Sequence, residues 1–216
     1  MINFKTSLVA LSLLSTASAA YATQETAIVA GGCFWCVESD FEAVKGVSDV
    51  VTGYIGGSAE TATYKRISKG GTGHYEAAKI TFDPNVISYE QVLDIFWRSI
   101  DATDAGGQFC DRGASYRTGI FALNAKQKKV AQKSKAALDA SGRLPKPVVT
   151  EIKNAGTFYL AEEYHQDYYK KSDLVITRFG PVSKAKAYKK YRKACGRDQR
   201  VKQLWGKDAH IHDITG

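Results

Sequence analysis

The sequence predicts a two-layer domain of the α/β or α+β class. Short β-like runs alternate with helical patterns along the chain, and glycine turns punctuate them. Several of the runs are short and their spacing is unequal. At 216 residues, with 44% hydrophobic and 24% charged residues, the chain can bury one substantial core without disulfide staples.

Residues 26–30, Thr-Ala-Ile-Val-Ala, form the first strand pattern. Gly31-Gly32 turns the chain into a helix over about 35–45, with Val37, Phe41 and Val44 at i, i+4 and i+7. A strand over 47–55 ends at Gly56-Gly57. The polar stretch 58–72 holds at most a short helical piece near 64–68. Residues 74–82 alternate as a strand, with Ala78, Ile80 and Phe82 on one face and Tyr75, Lys79 and Thr81 on the other. Glu76 falls on the apolar face, at its starting edge. Ser88 and Gln91 form a capping box for a helix reaching about Ile100. Residues 101–115 make a long polar loop, a length usually associated with function or disorder. A strand over 116–123, a helix from Asn124 to about Ala140, and a strand over 148–153 follow. The tyrosine-rich segment 158–171 is expected to be partly helical, and Pro181 separates it from a coil-rich tail.

The two ends differ from the middle. Lys5, an apolar run over 7–14 and Ala20-Tyr21-Ala22 spell a secretory signal peptide, too short to span a membrane. The expected layout is a signal peptide over 1–22, a catalytic domain over 23–180 and a basic extension over 181–216, in a secreted, periplasmic, monomeric protein. Residues 183–207 hold ten Lys or Arg against one acid, Asp198. Without a nucleic-acid motif this is a solvated basic tail, and no nucleic-acid partner and no membrane span are expected. Met1 is the only methionine and leaves with the signal peptide.

Chemistry concentrates at Cys33. It sits where a strand ends and a helix begins, so free N–H groups and the helix dipole favour its thiolate. Cys36, three residues on, makes a C-x-x-C dithiol pattern. A zinc site would need two more ligands at matching spacing, and Cys110 and Cys195 stand alone, so no metal is expected. A Cys–His hydrolase could use His74 or His165, although no spacing favours either. A carboxyl on an apolar strand face resists ionisation, which suits Glu76 to donate a proton.

Five stretches in order resemble the A-type peptide methionine sulfoxide reductases. They are Gly32-Cys33-Phe34-Trp35, Gly53-Tyr54-Ile55-Gly56-Gly57, Gly73-His74-Tyr75-Glu76, Asp111-Arg112-Gly113-Ala114-Ser115-Tyr116-Arg117 and Ala161-Glu162-Glu163-Tyr164-His165-Gln166. The resemblance implies a two-layer, ferredoxin-like plait with a central mixed sheet. It implies reduction of methionine-S-sulfoxide, free or in proteins, without a bound cofactor. Cys33 would attack the sulfoxide sulfur, Glu76 would donate the proton, and Tyr54 and Tyr116 would hold the oxygen. Asp111 would support the site, and Phe34 and Trp35 would wall the methyl group. The resulting Cys33 sulfenic acid needs a resolving thiol, ranked Cys195, Cys36, Cys110, and a thioredoxin-like dithiol as reductant. Many members carry glycine at the position of Cys36, and often glutamine at that of Ser115. A C-x-x-C thiol–disulfide oxidoreductase is the alternative, although the proline typical between such cysteines is missing. The non-catalytic alternative is a basic binding module with structural disulfides 33/36 or 110/195.

Overall fold

A computed structural model describes residues 24–212. The signal peptide expected over 1–22 lies outside the described residues. The chain begins with β1 (Glu25–Gly31), α1 (Phe34–Glu42), β2 (Val47–Ile55), α2 (Tyr64–Ile67), β3 (Tyr75–Phe82) and α3 (Tyr89–Trp97). It continues with β4 (Gly107–Gln108), β5 (Asp111–Arg112), β6 (Thr118–Ala122), α4 (Ala125–Ala140), β7 (Glu151–Asn154) and β8 (Phe158–Leu160). It closes with β9 (Leu174–Thr177), β10 (Gly180–Ser183), α5 (Lys184–Cys195) and α6 (Arg197–Trp205).

Six strands form one mixed sheet in the order β7-β6-β1-β3-β2-β8. Only the β6–β7 pair is parallel; the others are antiparallel. Alternation gives the sheet two apolar faces. Ala27, Val29, Val50, Ala78, Ile80, Phe82 and Ile120 share a core with Val37 and Phe41 of α1, and with Val92, Leu93 and Phe96 of α3. Ile28, Ala30, Ile55, Ala77 and Phe121 form a second cluster against Ala155 and Phe158. Fully burying each Val, Leu, Ile or Phe side chain among them contributes about 1.5–3 kcal/mol.

The capping box of α3 forms as expected, with Ser88 Oγ accepting from Gln91 N–H and the Gln91 side chain accepting from Ser88 N–H. Residues 158–171 are not helical: β8 pairs with the edge of β2, and turns follow. Tertiary bonds override the local pattern here. The buried Gln166 amide accepts from Thr52 N–H at 2.9 Å and donates to the carbonyls of Thr52 and Ala161. The polar loop 101–115 is also organised, as the small β4–β5 hairpin. Inside it, Gln108 bonds both the N–H and the C=O of Asp101.

The C-terminal segment corrects the expectation of a coil-rich tail. Pro181 lies within a hairpin, and two helices follow it. Gly196, in the left-handed region at φ 73°, separates them as glycine commonly does after a helix. Arg197, Val201 and Trp205 fall at i, i+4 and i+8; all three are buried, and Val201 and Trp205 join the main core.

Candidate active site

The turn between β1 and α1 sets the site. Gly32 has φ +82°, and a Cβ there would come within 2.5 Å of Gln108 Cβ, so only glycine fits. Cys33 is the N-cap of α1 and its carbonyl already accepts from the amide of Cys36. One helical turn therefore brings the Cys33 and Cys36 side chains together. Both are free thiols, Cys33 half-buried and Cys36 buried.

The two thiols share a hydrogen bond. Cys36 is the more acidic, brought down to about 7 first by that bond and then, against burial, by Arg197 and Arg192. Cys33 is pushed up by the same bond, by burial and by the negative charges of Glu76 and Asp111. With one proton between two sulfurs the anion belongs to the pair, and Cys33 carries it whenever the proton passes to Cys36.

Glu76 projects from β3 toward the start of α1, where Phe34 N–H donates to its Oε2 at 3.2 Å. Burial raises its pKa to about 8, partly offset by the Phe34 amide and by a hydrogen bond from Tyr116, and assisted by the charge of Asp111. At neutral pH this carboxyl is mostly protonated. Asp111 is also raised by burial, against the pull of Arg197.

Cys33, Cys36, Phe34, Trp35, Glu76, Asp111 and Tyr116 line one cavity of about 600 Å³. Trp35 stacks on Tyr168 with ring centroids 3.8 Å apart. Cys110 and Cys195 border the same cavity, joined as a disulfide. Cys195, ranked first as the resolving thiol, is thus not a free thiol here, and Cys36 is the only free thiol besides Cys33 among the described residues.

Tyr54 is not part of the lining. It is fully buried, and its hydroxyl donates to Glu162 Oε2 at 2.8 Å. Glu162 Oε1 accepts the backbone N–H of Tyr64 at 2.9 Å, and Tyr64 does line the cavity. Tyr54 thus braces the segment that presents a second tyrosine, which the sequence reading missed. The hydroxyls of Tyr64 and Tyr116 are both kept protonated, first by burial and then by the nearby charge of Glu76. The only local signal for Tyr64 was its place at the start of a short helix after a polar stretch.

The histidines do not support a hydrolase. His74 is tied into the 57–58 turn, accepting from Gly57 N–H and bonding the Ser58 carbonyl. His165 borders the cavity among Phe34, Trp35, Tyr64 and Tyr164, and burial lowers its pKa to about 4. It stays neutral at physiological pH.

A dithiol at a helix start, faced by a protonated carboxyl and two phenols in an aromatic cavity, defines a thiol-dependent reductase. The comparisons specify which kind. The family model described as peptide methionine sulfoxide reductase matches residues 25–208. The peptide methionine sulfoxide reductase MsrA of Bacillus licheniformis is 47% identical over 184 residues, covering 85% of this chain and 95% of that one. That of Listeria monocytogenes is 58% identical over 147 residues, 68% of this chain and 83% of the other. Among solved structures, reduced Mxr1 of Saccharomyces cerevisiae matches with a TM-score of 0.64 at 30% identity, covering 73% of this chain and 91% of that one. The chain belongs to the peptide methionine sulfoxide reductase family.

Proposed function

We propose that this protein reduces methionine-S-sulfoxide, free or in polypeptides, to methionine. The observation that carries the reading is the protonated Glu76 facing the Cys33–Cys36 dithiol in one aromatic cavity. A sulfoxide sulfur is a poor electrophile until its oxygen is protonated. Glu76 supplies that proton as the Cys33 thiolate attacks, with Tyr116 and Tyr64 hydrogen-bonded to the oxygen. Methionine departs and Cys33 is left as a sulfenic acid. Phe34 and Trp35 hold the methyl group, and Asp111 adds negative charge that assists burial in keeping Glu76 protonated.

Cys36 is the better placed resolver, which reverses the order drawn from the sequence. Its thiol attacks the Cys33 sulfenic acid, giving a Cys33–Cys36 disulfide and water. A thioredoxin-like dithiol then reduces that bond, and no bound cofactor takes part. We also read β1-α1-β2-β3-α3-β6, with its strand order β6-β1-β3-β2, as a ferredoxin-like plait. Residues 1–22 read as a signal peptide directing the protein to the periplasm, where a mature chain without methionine is immune to the lesion it repairs. Amino-terminal sequencing of the exported protein checks the cleavage near Ala22.

The test uses purified mature protein, dithiothreitol and racemic methionine sulfoxide resolved on a chiral column. The S epimer should disappear and the R epimer persist. Persistence of both would overturn the reading.

A further inference from the structure

The β9–β10 hairpin stands at the mouth of the cavity with an unused edge. Residues 175–178 border the cavity, whereas no residue of β10 does. Val175 and Val182 face inward, packing with Tyr168 and Tyr188. Leu174 and Ile176 face outward and are 79% and 91% exposed, the two most exposed large apolar side chains among the described residues.

The register shows which backbone groups are free. Thr177 and Gly180 flank a two-residue turn, so they form a hydrogen-bonded pair, and pairs alternate from there. Ile176–Pro181 and Leu174–Ser183 are therefore non-hydrogen-bonded pairs, whose N–H and C=O groups point away from the partner strand. On the β10 side, Pro181 has no N–H to offer, which blocks that edge. On the β9 side, Leu174 and Ile176 present complete N–H and C=O groups, and no other strand pairs with β9 among the described residues.

We propose that the outer edge of β9 is a docking strand for the polypeptide that carries the oxidised methionine. The inference rests on the functional reading above and says how a polypeptide is engaged. When a methionine side chain enters the cavity, its backbone must cross the mouth, and each flanking residue extends it by about 3.3 Å. The rim it meets is β9. An extended segment there pairs with the free backbone groups of Leu174 and Ile176, and its apolar side chains lie against theirs, as in strand addition. Such an edge selects unfolded, apolar segments, because a folded strand has its backbone groups already paired. Free methionine sulfoxide has no flanking residues and gains nothing from it.

The experiment compares two substrates with the full mature chain and dithiothreitol as reductant. One is free methionine-S-sulfoxide; the other is an apolar, extended peptide with a central methionine-S-sulfoxide. Leu174→Pro deletes one outward N–H without touching the cavity. It should raise KM for the peptide about fivefold, the worth of one hydrogen bond, and leave kcat/KM for the free amino acid within about twofold. A second measurement needs only the unaltered protein. The peptide is N-methylated at alternate residues in two sets, odd and even. One set should raise KM and the other should not, because only alternate amides can face β9. An equal effect of Leu174→Pro on both substrates, or of both methylation sets, or no effect of either change, would overturn the proposal. So would a loss seen only when thioredoxin replaces dithiothreitol, since the edge would then serve the reductant. Failure of the unaltered protein to reduce even the free amino acid would instead overturn the functional reading.

Discussion

Two cysteine pairs border one cavity, and they are built in opposite ways. Cys33 and Cys36 lie three residues apart on one helix start and are free thiols. Cys110 and Cys195 lie 85 residues apart, with Cα atoms 4.9 Å from each other, and are joined. The first pair needs only a helical turn. The second needs the whole C-terminal segment to dock, and two buried arginines flanking Cys195 achieve that. Arg192 pairs with Asp40 at 2.8 Å, and Arg197 donates to the carbonyls of Gly31 and Ser99, each at 3.0 Å. The same arginines are the positive charges that favour the Cys36 thiolate. The remote pair's scaffold therefore tunes the local pair, and chemistry that looks confined to residues 31–41 depends on α5 and α6.

The largest effects should come from breaking the local side. Cys33→Ser should abolish turnover on every sulfoxide substrate; a variant retaining full activity would remove Cys33 as the nucleophile. Glu76→Gln should slow the single-turnover reduction step by about 10²-fold or more, because it keeps a donor but loses an acid. The pH profile sharpens the same point. The single-turnover rate should rise through about pH 7, as the dithiol loses its first proton and becomes an anion, and fall above about pH 8, as Glu76 loses its own. In Glu76→Gln the alkaline limb should vanish while the acidic limb stays. Rapid-quench measurements across this range check both limbs.

The local side was legible in the sequence because short-range rules govern it. Gly31-Gly32 before a helical stripe located the turn, and alternation in β3 placed Glu76 on the buried face. The remote side was not legible for a physical reason. Ten basic residues over 183–207 masked the i, i+4, i+8 stripe of Arg197, Val201 and Trp205, and one of those three is itself an arginine. A buried guanidinium is costly unless it finds hydrogen-bond and charge partners, and those of Arg197, the carbonyls of Gly31 and Ser99 and the carboxylate of Asp40, lie about 98 to 166 positions away. Tyr54 and Tyr64 were confused on similar grounds. Only the Glu162 carboxylate, far along the chain, shows which tyrosine is the brace and which reaches the cavity.

Arg197→Met tests whether the scaffold reaches the dithiol. It strands two buried carbonyls and should cost about 3 kcal/mol of stability, lowering Tm by about 6–12 °C. Ultraviolet titration of the thiolate should also show the Cys36 pKa moving up from about 7, because the largest favourable charge on it is gone. A destabilised protein with an unchanged thiol titration would reduce α6 to a purely structural role.

The smallest expected effect separates the two pairs most cleanly. Cys195→Ser removes the Cys110–Cys195 bond and leaves Cys33, Cys36 and Glu76 in place. If the local pair performs reduction and resolution alone, the variant should release methionine in the first turnover at the unaltered rate. Without external reductant, free thiols contributed by Cys33 and Cys36 should fall from two to none, because the sulfenic acid closes onto Cys36. Cys110 then remains as one unreacted thiol, which alkylation and mass mapping identify. If instead Cys110 is consumed and Cys36 stays free, the remote pair resolves and the ordering argued from helix geometry fails. Cys36→Ser is the converse: the first methionine still departs, but the Cys33 sulfenic acid persists long enough for a dimedone-type nucleophile to trap it. If Cys36→Ser is first treated so that Cys110–Cys195 is reduced and the reductant is then removed, rapid loss of that sulfenic acid would mean that a thiol of the remote pair condenses with it, releasing water.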